Sequence, residues 1–517
     1  MGSRANIRSP NLNDLDDIAP GVRVSTRRGY ASRPAPFAPL RVTRGLRCSP
    51  NALTHGLPAA PTDRFRNIVG EDLTRQSRDR MPTAMHLRLP PLLTLLVLTG
   101  ACRATPPAAP DPGRLDAVAR RYVILGLGLG AHDPAYVDAY YGPDSLRAAA
   151  QAESLTVAEA RTAAESLMAV LGDSVPAYAD TLVRLRHRYL RVQLGSMAAR
   201  ARMLGGERLS FDQEAAALYD ATPPHYSDAH FDSLLARLDS LLPGRAPLAE
   251  RYQRLRDRVT IPASKVDTVF KTAIAACRAR TLAHVPLPPG ERFDLEYVKG
   301  TSWNAYNWYK GNYHSLIQVN LDFPIVIDRA IDLACHEGYP GHHVYNALLE
   351  QALVRERGWV EISMYPLFSP QSLIAEGSAN FGIDMAFPAD ERVAFERDSL
   401  FPLAGLDRSL AETNAAVGQV VERLNYARNE VARRYLDGEL DAAAATKTMR
   451  RYWLVSPELA AKQLRFVDTY RSYVINYNLG RDMVADWIAR TGGNSEAARW
   501  RAFQALLSAP HLPSDLR

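Results

Sequence analysis

The sequence predicts a mainly α-helical fold with a small β-sheet beside one motif-bearing helix. Apolar residues recur at three and four spacing, the period of an amphipathic helix, over residues 178–203, 233–242 and 265–283. Two residue pairs have the spacing of capping boxes, which mark helix N-termini: Thr156 with Glu159, and Ser210 with Gln213. The third observation is a single alternating, aliphatic segment, residues 315–321, which predicts a strand paired with residues 295–298.

The first hundred residues do not resemble folded protein. They hold fifteen arginines, no lysine and seven acidic residues, with many prolines and no sustained apolar period. This surplus of eight positive charges means that a net charge of +6 for the chain leaves −2 for residues 103–517. No nucleic-acid partner is therefore expected. We predict that residues 1–84 are sequence upstream of a mis-assigned start codon. The alternative is an Arg-rich organelle transit segment.

Residues 85–102 have the parts of a secretory signal peptide: a short basic start, an apolar run and small residues. The run is too short to span a membrane as a mature helix. Cys102 follows Gly-Ala as in a bacterial lipobox, where the cysteine is lipidated. Thr99 stands where leucine is usual, so simple secretion remains the alternative. We expect an exported protein, periplasmic or anchored through Cys102, with the Pro/Ala-rich residues 103–113 as a tether.

The body of the chain divides into a helical N-terminal region, residues 114–286, and a catalytic region, residues 287–517. No catalytic cluster falls in the first region. Cys277 and Cys335 are the body's two cysteines. We expect Cys335 to be a small buried core residue, with no disulfide framework.

The catalytic region is organised around the run Cys-His-Glu-Gly-Tyr-Pro-Gly-His-His, residues 335–343. The preceding residues predict a helix that begins at Pro324 and carries His336. A histidine followed by glutamate, with a second histidine nearby, is typical of zinc hydrolases, in which Glu337 would be the general base. The usual spacing between the two histidines is four residues, and here it is six or seven.

An ideal helix would place these histidines roughly 10 Å apart along its axis, too far for one Zn²⁺. The helix must therefore deform. Pro340 removes a backbone donor and Gly341 tolerates unusual dihedral angles, so a local bulge could return an imidazole to the face of His336. Either His342 or His343 could then be the second metal ligand. We favour His342 because two extruded residues would restore the ordinary spacing.

Catalytic zinc takes three protein ligands and leaves one position open. Glu376 follows His342 by 34 residues on a predicted helix, so it is the candidate third ligand. Asn380 and Asp384 share its helical face and could hydrogen-bond the ligand imidazoles.

The C-terminal segment, residues 470–480, brings tyrosines and an arginine together on one predicted helix. Tyr473 and Tyr477 are four residues apart and share a face, so a phenol could stabilise an oxyanion. Arg471 could bind a substrate carboxylate. Core packing and a surface ion pair are the alternatives for these residues.

The motif H-E-G-Y-P-G-H-H resembles that of domain-of-unknown-function family 885, bacterial proteins grouped with the glutamate-ligand zincin metallopeptidases. Residues 136–143 and 303–309 share in the resemblance, as do Glu376-Gly377 and the Y-x-x-G sequence at Tyr477. This chain has Ser378 where the family more often has an aromatic residue. The resemblance implies a largely helical, zincin-like fold and a peptidase activity.

Together these patterns predict a zinc metallopeptidase acting on a peptide substrate. The strands before the motif could hold the substrate by pairing with its backbone, or they could only cover the core. Two other functions stay open: a zinc hydrolase of a non-peptide amide or ester, and an inactive envelope scaffold without metal.

Overall fold

Helices dominate the computed structural model, which describes residues 112–177, 180–301 and 303–517. The predicted leader, signal peptide and lipidation site at Cys102 lie outside the described residues. So does the predicted tether except for its last two residues, which begin the first helix. The described helices are α1 Pro112–Gly130, α2 Asp144–Glu153, α3 Val157–Leu171, α4 Thr181–Leu204, α5 Phe211–Tyr219, α6 Asp228–Leu241, α7 Leu248–Arg258, α8 Val266–Leu282, α9 Asp328–Leu333, α10 His342–Leu349, α11 Pro370–Ala386, α12 Ala389–Phe395, α13 Phe401–Ala404, α14 Ala411–Leu424, α15 Tyr426–Leu436, α16 Ala442–Trp453, α17 Pro457–Tyr470, α18 Ile475–Gly492 and α19 Glu496–Leu507.

Local sequence signals explain where several helices begin. Both predicted capping boxes are confirmed: Thr156 caps α3 with Glu159, and Ser210 caps α5 with Gln213. In each box the N-cap hydroxyl accepts from the N3 backbone, and the N3 side chain accepts from the N-cap backbone, so two donors at the helix end are satisfied.

A three-stranded sheet precedes the motif. Strand β2 Arg292–Val298 pairs in parallel with β4 His314–Asn320, and β3 Ala305–Tyr309 pairs antiparallel with the other side of β4. The predicted strand pairing is therefore confirmed. Strand β4 is central, however, so residues 315–321 cannot themselves pair with a substrate. The edge strands are β2 and β3.

A second, two-stranded sheet joins β1 Val137–Tyr140 to β5 Met364–Pro366 in antiparallel register. The sequence analysis did not predict it, because each strand is short and its partner is more than 200 residues away. The described residues fall in one compact unit, in which N-terminal helices pack on the part of the chain after residue 286. Buried Arg186 of α4, for example, pairs with buried Glu361 at 2.6 Å.

A disulfide joins Cys277 on α8 to Cys335, with 5.7 Å between their Cα atoms. The expected burial of Cys335 is confirmed, and the body's two cysteines form a single bridge instead of a disulfide framework. Helix α8 packs beside the turn that carries Cys335, and a contact between residues 58 positions apart leaves no local sequence signal. The bridge fixes the residue next to His336. Among the described helices, none combines the length and apolarity that crossing a bilayer requires.

Candidate metal centre

The backbone of the motif deforms as the histidine spacing requires. Helix α9 begins at Asp328, four residues after the predicted start at Pro324. The intervening segment is extended instead, because Ile325 and Ile327 exchange backbone hydrogen bonds with the chain near Val259. A π-helical turn, Ala334–Gly338, then carries His336 and Glu337. The helical path ends there, and α10 starts at His342.

Gly341 makes the return of the chain to His336 possible. Its N–H donates to the Cys335 carbonyl at 2.9 Å, so the backbone folds back onto the π-helical turn. A Cβ at position 341 would lie 1.8 Å from the His336 carbonyl oxygen, a distance that no side chain tolerates. Glycine is therefore needed here for close backbone approach, and the approach places His342 beside His336.

Glu376 lies in the middle of α11, a helix buried over most of its length. Helix α18, which carries Tyr477 in its first turn, approaches α11 closely at Gly377 and Gly480. A Cβ on Gly377 would come within 2.5 Å of the Gly480 backbone. Two small residues thus allow the backbones to meet, and this contact brings the tyrosine segment to Glu376.

His336, His342 and Glu376 converge, and we call them the metal triad. Their potential ligand atoms all lie within 4.8 Å of one another. The Glu376 Oε2 atom is 3.3 Å from His336 Nε2 and 3.8 Å from His342 Nε2. Oε2 is nevertheless buried without a hydrogen-bond partner among the described residues. Two imidazole nitrogens around an orphaned carboxylate oxygen fit a zinc ion, which takes nitrogen and oxygen ligands at about 2 Å.

The electrostatics of the triad suit ligation. Burial lowers the pKa of His342 to about 4, so its imidazole is neutral and offers a lone pair at neutral pH. Burial alone would raise the pKa of Glu376. The nearby His336 and His342 imidazoles and the hydrogen bond from Tyr473 together outweigh burial, so the pKa of Glu376 is lowered and the carboxylate is ionised.

His343 lies in a different environment. Its Nδ1 contacts the Ser315 hydroxyl at 2.9 Å, and its Nε2 contacts Glu291 Oε2 at 3.0 Å. Tyr339 donates to the same oxygen at 2.7 Å, and Arg278 donates to the other oxygen at 2.5 Å. We call this arrangement the Glu291 cluster. Both ring nitrogens of His343 have protein partners, so the geometry favours His342 as the second ligand.

Partners outside the triad hold its members in place. Asn380 Oδ1 contacts His336 Nδ1 at 3.1 Å, and its amide donates to the Tyr477 carbonyl at 3.1 Å. The Tyr473 hydroxyl donates to Glu376 Oε1 at 2.9 Å. Asp384, in contrast, pairs with Arg481 at 2.6 Å and contacts neither imidazole in the described structure. Such outer contacts orient the ligand atoms.

Glu337 adjoins the triad without belonging to it. Its side chain is buried, and burial raises its pKa to about 7, with the His336 charge opposing and the Glu376 charge assisting. The Glu337 carbonyl accepts from the Asn307 amide on β3 at 2.6 Å. The edge strand is thereby tied to the turn that carries the candidate general base.

The tyrosine segment is not one helix, contrary to the prediction. Arg471 has a φ of 52°, which ends α17, and a 3₁₀ turn over Arg471–Val474 precedes α18. Arg471 Nε donates to buried Glu214 at 2.6 Å. Tyr473 and Tyr477 remain neighbours, with ring centroids 5.7 Å apart. Both lie near the triad, since the Tyr473 hydroxyl donates to Glu376 and the Tyr477 carbonyl accepts from Asn380. Burial, followed by the Glu376 charge, raises the pKa of each phenol.

The sequence analysis did not identify two charged residues beside the centre. Asp138 on β1 accepts from the Tyr306 hydroxyl, and burial followed by the Glu376 charge raises its pKa to about 7. Arg428 on α15 is the second: burial lowers its pKa, and the charges of Tyr477 and Glu376 oppose that shift. Asp138 lies within residues 136–143, which share in the family resemblance, and this was the available signal for it. Arg428 stands in a charged helix without a motif.

Comparisons with known proteins assign no family to the chain. No family model matches it, and no curated protein matches it. Among solved structures, a candidate lipoprotein from Colwellia psychrerythraea is 15% identical, with a TM-score of 0.43 over 70% of this chain. This chain spans 63% of that protein's length.

Two carboxypeptidase structures also match. Trypanosoma cruzi metallocarboxypeptidase 1 is 13% identical with a TM-score of 0.38, and the match covers 76% of this chain and 90% of that one. The M32 carboxypeptidase from Deinococcus radiodurans R1 is 14% identical with a TM-score of 0.33, over 75% of this chain and 88% of that one. At these values neither match assigns an activity to this chain.

Proposed function

We propose that this protein is a zinc-dependent hydrolase that cleaves peptide bonds. The observation that carries the proposal is the metal triad, in which a buried carboxylate oxygen without a hydrogen-bond partner faces two imidazole nitrogens. His336, His342 and Glu376 would hold the ion. When bound, zinc would supply a Lewis acid that polarises the scissile carbonyl and lowers the pKa of water toward neutrality.

Glu337 is the general base in this proposal. It follows His336 directly, and its carboxylate interacts with the charges of His336 and Glu376. It would accept a proton from the attacking water and pass that proton to the leaving amine. The hydrogen bond from the Asn307 amide to the Glu337 carbonyl would hold the π-helical turn against the sheet.

Two further elements would bind and stabilise the substrate. Within the described residues, β3 has a ladder partner on one side only, so its other edge could pair with an extended peptide backbone. The Tyr477 ring lies beside that of Tyr473, whose hydroxyl donates to Glu376, so the Tyr477 phenol is near the metal triad. It would donate a hydrogen bond to the oxyanion. The Tyr473 hydroxyl already donates to Glu376, so it would orient this metal ligand instead of contacting the substrate.

The proposal is tested by loading the full chain with zinc and following cleavage of a peptide mixture by mass spectrometry. We expect peptide products that disappear with a chelator and return with added Zn²⁺. Hydrolysis of ester and non-peptide amide probes without any peptide cleavage would replace the peptidase proposal by the alternative hydrolase. Absence of all zinc-dependent hydrolysis would overturn both.

A further inference from the structure

Arg428 is a cation without a counter-ion. The residue lies in the first turn of α15, and its guanidinium carbon is 4.6 Å from the ring centroid of Phe466, 5.6 Å from Tyr477 and 5.8 Å from Trp453. No carboxylate of the described residues forms an ion pair with it. Its Nε is buried without an acceptor in the described structure. Three aromatic faces therefore surround a charge that no anion neutralises.

Three other arginines of the described residues, each buried or partly buried, are neutralised by carboxylates. Arg186 pairs with Glu361 and Asp116, each at 2.6 Å, and Arg433 pairs with Glu430 at 2.5 Å. Arg392 pairs with Asp332 at 2.7 Å and Glu396 at 2.9 Å. Arg428 is partly buried, and the burial of its guanidinium lowers its pKa. Arg428 thus differs from comparable residues in the same fold.

A second donor beside Arg428 also lacks an acceptor. The indole Nε1 of Trp453 is buried without a hydrogen-bond partner in the described structure. Trp453 is one of the three rings around the guanidinium. Two neighbouring side chains thus each carry a donor without an acceptor, and one of them is charged, which matches the needs of an anion that can accept several hydrogen bonds.

The pair lies next to the metal triad. The Tyr477 ring contacts the guanidinium on one side and the Tyr473 ring, at 5.7 Å, on the other. The Tyr473 hydroxyl in turn donates to Glu376. Arg428 is also close enough to Glu376 for that charge to oppose the effect of burial on its pKa. A group bound at Arg428 would therefore lie near the reacting carbonyl of the proposed peptidase.

We propose that Arg428, with Trp453 and Tyr477 beside it, binds the terminal carboxylate of the substrate, so that the protein acts on peptides with a free carboxyl end close to the scissile bond. This inference rests on the proposed function for its reaction. The proposed binding of a carboxylate depends on Arg428 and does not require the proposed reaction. Arginine suits the role because its planar donors match a carboxylate and its flat face stacks on aromatic rings.

The test measures binding rather than turnover. N-acetyl-phenylalanine and N-acetyl-phenylalaninamide differ only in the terminal carboxylate, and N-acetyl-glutamic acid amide carries its carboxylate on the side chain. Their dissociation constants are measured by titration calorimetry on the full chain, zinc-loaded and after chelation. The chelated protein excludes binding of the carboxylate to zinc, and it tests Arg428 even if the proposed reaction is wrong.

We expect the wild type to bind the free acid about ten- to a hundredfold more tightly than either amide, with or without zinc. Arg428→Gln should abolish this preference while leaving the affinity for N-acetyl-phenylalaninamide unchanged. Arg428→Lys should retain part of the preference. Arg423→Gln removes the same charge from an exposed position five residues earlier and should bind as the wild type does.

Three results would overturn the inference. Equal affinity of the wild type for N-acetyl-phenylalanine and N-acetyl-phenylalaninamide would show that no carboxylate is recognised. Preference for the glutamic acid amide, lost in Arg428→Gln, would place a side-chain carboxylate at Arg428 instead of the terminus. A lower melting temperature of Arg428→Gln, with equal loss of affinity for all probes, would make Arg428 structural. We expect its melting temperature to be no lower than that of the wild type, because the unpaired charge is removed.

Discussion

Two clusters in this protein combine histidine with glutamate, and they differ in whether their polar atoms have partners. In the Glu291 cluster, His343 uses both ring nitrogens and Glu291 uses both oxygens. In the metal triad, Glu376 Oε2 is buried with no hydrogen bond to it from the described residues. The two clusters are joined by adjacent residues, His342 and His343. The comparison teaches that neighbouring residues of one type can be told apart by what remains unsatisfied around them.

The largest expected effect is a loss of kcat without a loss of zinc. Glu337→Gln keeps the shape of the side chain but cannot accept a proton, so kcat should fall about 10³-fold in zinc-dependent peptide cleavage. Zinc content should stay equal to that of the wild type, because Glu337 is outside the metal triad. A kcat within about threefold of the wild type would remove Glu337 from the reaction.

The Glu291 cluster should matter for stability instead. His343→Ala removes two buried hydrogen bonds and leaves a cavity, so the free energy of unfolding should fall by about 3 kcal/mol in urea denaturation. His314→Ala on the neighbouring strand is the control, since His314 is partly exposed and pairs with exposed Asp294. Unfolding of His343→Ala at the wild-type midpoint would contradict the structural role of the cluster.

The two tyrosines beside the metal triad, Tyr473 and Tyr477, are expected to have different roles. Tyr473→Phe deletes the donor to Glu376 and should weaken zinc affinity about 10- to 100-fold in a chelator competition. Tyr477→Phe should leave zinc affinity unchanged and lower kcat, because its phenol contacts no ligand atom. Identical behaviour of the two variants would show that their roles are not distinct.

The smallest effect is the pH dependence of the Glu291 cluster. Burial raises the pKa of Glu291, but the hydrogen bonds from His343, Tyr339 and Arg278 outweigh it and hold the pKa below 4.5, the value for an unperturbed carboxyl. The carboxylate therefore contributes stability above its unfolded pKa, and this contribution is lost as the pH falls through the folded pKa. The wild type should lose more stability between about pH 5 and pH 3 than Glu291→Gln, measured by urea denaturation. Equal losses would show that Glu291 is not held ionised by its partners.

Local patterns in the sequence predicted part of this structure. The capping boxes, the β2–β4 pairing and the helix of Glu376 follow from residue spacing within one segment. The spacing from His336 to His342 also required a deformation, and the π-helical turn with Gly341 provides one.

Other features depend on which distant segments meet. The Cys277–Cys335 bridge needs α8 to pack beside the motif, and the break at Arg471 is a backbone conformation that its sequence does not signal. The partners of His343 come from β4 and from the segment before β2. That no carboxylate of the described residues pairs with Arg428 is visible only when the surrounding side chains are in place.

Zinc content of the full chain and its variants tests the central claim most directly. After zinc loading and removal of free metal, elemental analysis should find about one zinc per chain in the wild type and in His343→Ala. It should find none in His336→Ala, His342→Ala or Glu376→Ala. Retention of zinc by His342→Ala together with its loss from His343→Ala, or a wild type that binds no zinc, would contradict the metal triad.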